Sequence, residues 1–96
     1  DGFGNQALAQ LIHALTSESI QVRELSANLL GDIGDNRAVE PLCTALETGD
    51  WQVRFAIVEA LGRIGDRLAL PVIERMTKDA DVRVRAIVKN VLEDFK

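Results

Sequence analysis

Val22-Arg23, Val53-Arg54 and Val84-Arg85 stand 31 positions apart, from 22 to 53 and again from 53 to 84. Around these pairs the chain copies itself. Gly31-Asp32-Ile33-Gly34-Asp35 returns at the same offset as Gly62-Arg63-Ile64-Gly65-Asp66, and Pro41 returns one position early as Pro71. Ala7, Leu8, Leu11 and Leu15 anticipate Ala38, Val39, Leu42 and Leu46 in the same way. A unit this short cannot bury an apolar face alone, so its copies must stack, and the core becomes a series of interfaces between neighbours.

Each unit contains two apolar stripes with a helical period. The first runs Val22, Leu25, Leu29, Leu30 and Ile33; its slots are refilled by Val53, Ala56, Ala60, Leu61 and Ile64, then by Val84, Ile87, Val91, Leu92 and Phe95. The second runs Ala7, Leu8, Leu11, Ile12 and Leu15, then Ala38, Val39, Leu42, Cys43 and Leu46, then Leu68, Ala69, Val72, Ile73 and Met76. A 3.6-residue stripe belongs to an amphipathic helix and not to a strand. The spacing predicts six helices at roughly 5–16, 20–32, 36–47, 51–63, 67–78 and 82–95.

Ser19, Asp50 and Asp81 precede the first kind of helix, and Asp35 and Asp66 the second, each able to accept an orphan N–H at a helix start. Gly34 and Gly65 suit the left-handed residue that ends a helix. Pro41 and Pro71 lie beyond the first turn of their segments, where a missing N–H disturbs a regular helix. Residues 36–40 and 67–70 are therefore expected to form a tight turn or a bent start. Short connections make consecutive helices antiparallel neighbours. The expected fold is all-α: an α-solenoid of three stacked hairpins, at about 5–32, 36–63 and 67–95, in one domain over residues 1–96 that is either whole or cut from a longer solenoid.

Composition narrows the function classes. In 96 residues, 11 Lys+Arg face 15 Asp+Glu, a net charge of -4. That sign disfavours affinity built on phosphate neutralisation. A single cysteine forbids an internal disulfide and is far short of a zinc cage. No apolar run approaches the ~20 residues that cross a bilayer, so a cytoplasmic protein without a membrane partner is expected.

The unit resembles the short HEAT-like repeat found in phycobilin lyase subunits and in many other proteins. Residues 22–47 carry the likeness best, through Val22, Arg23, Leu30, Gly31, Ile33, Gly34, Asp35, Ala38, Val39, Pro41, Leu42, Ala45 and Leu46. The resemblance implies a HEAT-like superhelix with the Val-Arg helices outside and the Ala-Val-x-Pro-Leu helices lining a concave groove. Groove positions are then Gln10 and His13 on the first inner helix, Arg37, Glu40 and Thr44 on the second, and Arg67, Leu70 and Glu74 on the third.

Mixed charge on these positions suits protein recognition better than a phosphate track or a lipid pocket. The expected function is a non-enzymatic scaffold that binds a protein partner in the groove and carries no cofactor. A bilin lyase or phycobilisome-processing subunit, and a nucleic-acid-binding HEAT-like stack, are the alternatives. Iron-binding HEAT hydroxylases depend on His-Glu pairs, and this chain has no His-Glu step.

Single residues are weighed against plainer roles. Arg23, Arg54 and Arg85 share one slot, Asp35 and Asp66 another. They could bind an anionic partner, but a residue repeated in every unit answers to the stacking, so an Arg-Asp ladder between repeats is expected. His13 has no Cys, Asp or Glu at i+3 or i+4 to share a metal, and no metal or catalytic residue is assigned. Cys43 has Ile12 and Ile73 as siblings and reads as a small buried hydrophobe. Trp51 is expected to tuck beneath a neighbouring loop, whereas Phe55, whose siblings are Glu24 and Ala86, is the candidate hydrophobic anchor.

At the end of the chain Glu93-Asp94-Phe95-Lys96 replaces the Gly-x-Ile-Gly-Asp turn and reads as a cap. The first hairpin has no outer helix before it. Self-association through its open apolar stripe, Ala7, Leu8, Ile12 and Leu15, is one way of covering it.

Overall fold

The computed structural model describes residues 2–47 and 49–96. Six α-helices follow one another: α1 (Gly2–Ala14), α2 (Ile20–Ile33), α3 (Val39–Ala45), α4 (Trp51–Ile64), α5 (Leu70–Arg75) and α6 (Val82–Asp94). Single 3₁₀ turns, Asn36–Ala38 and Arg67–Ala69, lead into α3 and α5, and a third, Met76–Lys78, closes α5. The described residues contain no strand.

The prolines explain the short inner helices. Beginning α3 at Val39 and α5 at Leu70 brings Pro41 and Pro71 into the first helical turn, where backbone N–H groups have no partner anyway. The residues before them fold as 3₁₀ turns closed by the aspartates. Asp35 accepts the Arg37 N–H at 2.8 Å and Asp66 the Leu68 N–H at 2.9 Å. The outer helices α2 and α4 end on Gly34 (φ 74°) and Gly65 (φ 72°), whose N–H groups return to Leu30 and Leu61. Ser19 and Asp81 cap α2 and α6 as their chemistry predicts. Asp50 makes no capping bond at α4, because its carboxylate faces Arg23 instead.

Hairpins α1–α2, α3–α4 and α5–α6 stack so that α2, α4 and α6 lie side by side. Cα extents of 38 × 30 × 16 Å describe a slab two helices deep. Leu30, Leu42, Ile57, Leu61, Ile73, Val84 and Val88 are fully buried between the layers. The outer helices close on glycines. A Cβ on Gly31 would stand 2.9 Å from the Ala60 Cα, and one on Gly62 2.9 Å from a Val91 methyl.

The edges differ from the expectation in one respect. On α1 Leu8 is buried and Leu11 and Ile12 are half-buried, and Leu15 is buried in the turn that follows, so the first helix has its cover; only Ala7 of that stripe is exposed. The open apolar stripe lies on α2 instead, at Val22, Leu25, Leu29 and Ile33. At the other edge Phe95 packs against the core, and Glu93 occupies the slot of Gly31 and Gly62.

Candidate functional site: the inner-helix clefts

A cleft of about 660 Å³ opens between α1 and α3. Its floor is Ile12, Leu15, Pro41 and Ala45; its rim is Thr16, Arg37, Glu40 and Thr44. A second hollow, about 350 Å³, lies between α3 and α5, with Cys43, Leu46, Val72 and Met76 below and Glu47 and Arg75 at its sides. Glu40 and Thr44, one helical turn apart on α3, form the ridge shared by both. An apolar floor with a few charged groups above it is the usual chemistry of a recognition pocket.

Arg37 is held at the rim. Its guanidinium donates from Nε and Nη2 to Asp35 at 3.1 and 2.8 Å, and from Nη1 to the Asn5 side chain at 2.8 Å. The Arg37 side chain, and then its N–H, draw the Asp35 carboxyl down to about 2, and the same pairing raises the guanidinium further. A cation fixed before a ligand arrives loses less freedom on binding.

The structure brings together three of the groove residues expected from the sequence: Arg37, Glu40 and Thr44. Gln10 and His13 are exposed on α1 but line neither cleft, and Glu74 is exposed on α5 outside both. Leu70 is half-buried. Arg67 belongs elsewhere. Its Nη1 donates to the Phe95 carbonyl at 3.2 Å, and it lies with Gly62, Gly65 and Asp94 at the ends of the outer helices. Arg37 holds the matching place in its own 3₁₀ turn but is tied to Asp35 and Asn5, so the two arginines part by their hydrogen-bond partners.

Cys43 corrects the reading of a core residue: it is half-buried and lines the second cleft. Burial pushes its thiol up, with Arg75 opposing the shift and Glu40 adding to it. Arg75 and Thr16 went unnoticed in the sequence because each sits beside the apolar stripe without repeating between units, and the half-buried Pro41, read there only as a signal for a bent helix start, also reaches the cleft floor.

Two of the repeated arginines, Arg23 and Arg54, reach across to the next repeat, while Arg85 stays within its own. Arg23 donates to the Ser17 carbonyl at 2.5 Å and to Asp50 at 3.3 Å. Arg54 donates to the Gly49 carbonyl and, through Nε and Nη2, to Asp79 at 2.8 and 3.0 Å. Arg85 donates to the Asp79 carbonyl at 2.6 Å. The carboxylates that meet the arginines are thus Asp50 and Asp79. Asp35 and Asp66 close the 3₁₀ turns instead, and Asp66 also accepts from the Asn36 amide at 3.0 Å.

On the outer layer Trp51 meets Phe55 edge to face, with centroids 6.3 Å apart, and the Arg83 guanidinium stacks 3.6 Å above the indole. Phe55 is half-buried against the core and so offers little ring to a partner. Its ring packs inward because α4 is flanked by repeats on both sides.

Among the described residues no three His, Cys, Asp or Glu side chains gather as a metal site, and no helix is long and apolar enough to cross a membrane. The description HEAT repeats matches residues 8–93. The chain belongs to the HEAT repeat family. The match is to HEAT repeats at large and does not single out the phycobilin-lyase type. No curated protein sequence matches the chain. Both clefts open on the layer formed by α1, α3 and α5, while α2, α4 and α6 pack closely side by side in the other layer.

Proposed function

We propose that this HEAT repeat protein is a non-enzymatic scaffold that holds a protein partner in the cleft between α1 and α3. The observation behind this reading is the cleft itself: an apolar floor of Ile12, Leu15, Pro41 and Ala45 beneath a rim where Arg37 and Glu40 carry opposite charge. Such a site takes an apolar side chain and orients it by flanking polar contacts, which is how compact interface hot spots are built. HEAT repeats commonly serve as such scaffolds.

Thr44→Arg and Glu40→Arg test the reading, since both residues are exposed and their replacement leaves the core intact. Proteins retained by the immobilised chain, quantified by mass spectrometry, should include one retained at least tenfold less by both variants. A retained set identical for all three would sink the proposal. A bilin lyase subunit would place a tetrapyrrole in the same cleft; a visible absorption band on mixing the protein with a free bilin would favour that reading over a protein partner.

A further inference from the structure

The side chains around the α1–α3 cleft turn oxygens towards a ligand rather than hydrogens. The Thr44 hydroxyl donates to the Glu40 carbonyl at 3.1 Å and the Thr16 hydroxyl to the His13 carbonyl at 2.7 Å, so each has only an acceptor left to offer. Arg37 brings the other side-chain donors of the rim, and it is engaged: Nε and Nη2 bond Asp35 and Nη1 bonds Asn5. The Arg37–Asp35 pair, closed at 2.8 Å, cancels its own charge. The Glu40 carboxylate has no hydrogen-bond or ion-pair partner among the described residues, and it lines the hollows on both sides of α3. Above the apolar floor there remains one free negative charge with hydroxyl acceptors beside it.

We propose that the partner protein seats a lysine or arginine side chain in this cleft. Its aliphatic stem lies on Ile12, Pro41 and Ala45, and its charged head donates to the Glu40 carboxylate, with the threonine oxygens as further acceptors. Long cationic side chains bury their methylenes along apolar surface while the charged end stays among polar groups. A hydrogen bond between ionised partners is roughly twice as strong as a neutral one. The chain's net charge of -4 favours the approach of such a basic segment. This assignment rests on the scaffold reading of the same cleft and adds the chemistry of its occupant.

An acidic or phosphorylated segment suits the cleft poorly. It would meet Glu40 with like charge, and the charge of Arg37 is already answered by Asp35. A wholly apolar side chain would fill the floor but press against Glu40 without pairing it, and a carboxylate that loses water without gaining a partner opposes binding.

Three acetylated, amidated pentapeptides test this. They share the frame Ala-Leu-x-Leu-Ala and carry lysine, norleucine or glutamate at the centre. Each is titrated into the full ¹⁵N-labelled chain, and the amide shifts of Ile12, Thr16, Thr44 and Ala45 report on the cleft. The lysine peptide should bind tightest and the glutamate peptide weakest. Glu40→Gln should weaken the lysine peptide at least threefold and leave the norleucine peptide unchanged, and Glu40→Arg should reverse the order of lysine and glutamate. Glu74→Gln removes the same charge from an exposed position outside both clefts and should change nothing. Glu40 is exposed, and the amide spectra themselves verify that its variants are folded. Equal affinity for lysine and norleucine, or lysine binding indifferent to Glu40→Gln, overturns the assignment of a cation while the cleft stands as a binding site. Shifts at none of the four amides with any peptide would sink the assignment and the scaffold reading together.

Discussion

Arg54 grips Asp79 across the seam between the second and third repeats, with Nε to Oδ2 at 2.8 Å and Nη2 to Oδ1 at 3.0 Å. The two side chains are 16 % and 7 % exposed, so this pair is shielded from solvent where the pair of Arg63 with Asp32 is not. A bidentate contact shielded in this way is worth more than an open one, and leaving either partner alone is worse than losing both.

Arg54→Ala should accordingly destabilise the protein by about 2 kcal/mol, the range for a charged hydrogen bond removed from a buried acceptor. Arg54→Lys should recover less than half of that loss, because an ammonium cannot reproduce the planar fork. Arg63→Ala should cost under ~1 kcal/mol. Urea unfolding midpoints of the three variants check the ranking.

Acid should reveal the same contact. Burial pushes the Asp79 carboxyl up, but the hydrogen bonds from Arg54 and from the Asp81 N–H outweigh it, and the group titrates below its ordinary value. The unfolded chain, with its carboxylate near ~3.9, then takes up the proton first as pH falls. Stability from Asp79 is present above about pH 4 and is lost as the pH drops towards the folded-state value. Asp79→Asn should be less stable than the unmodified chain at pH 7 and should lose less between pH 5 and roughly pH 3. Asp35 and Asp81 are shifted the same way by their arginines, so some acid sensitivity should remain.

Gly31→Ala sets two effects against each other. Alanine in a helix interior gains about 1 kcal/mol over glycine. Its methyl would stand 2.9 Å from the Ala60 backbone and force the outer helices apart, and overpacking of that kind costs about 1–3 kcal/mol. The variant should be the less stable protein. Gly62→Ala meets the Val91 side chain rather than backbone and should lose less. Thermal melts of both variants would expose an error in either assignment.

Cys43 should react sluggishly. Its thiol is half-buried and titrates above its ordinary value, so little thiolate exists at neutral pH. Labelling by a disulfide reagent at pH 7.5 should proceed more slowly than for a free cysteine, in line with the smaller thiolate fraction, and should accelerate in urea.

The repeat period, the six helices and the bent inner starts were legible because apolar spacing, glycine and proline act locally. The partners of the arginines were not. Asp50 and Asp79 sit at different offsets from Arg23 and Arg54, 27 and 25 residues on, so no fixed period announces them. Asp35 and Asp66 do keep the period, yet answer to turns within their own units. The cleft was half legible. Glu40 and Thr44 follow from one helix face and Arg37 from the turn that leads into it, whereas Thr16, Pro41 and Arg75 enter through how two neighbouring elements are spaced. Arg67 misled because the end of α6 offers it the Phe95 carbonyl, a partner that its counterpart Arg37 lacks.

Asp79 gives its carboxylate to Arg54 in the repeat before and its carbonyl to Arg85 in its own repeat. One short loop is thus fastened to two successive repeats by two faces of the same residue. Under mechanical load this loop acts as a rivet. A chain pulled by its ends would not extend smoothly, but would hold until Asp79 lets go and then release the last hairpin in a single step.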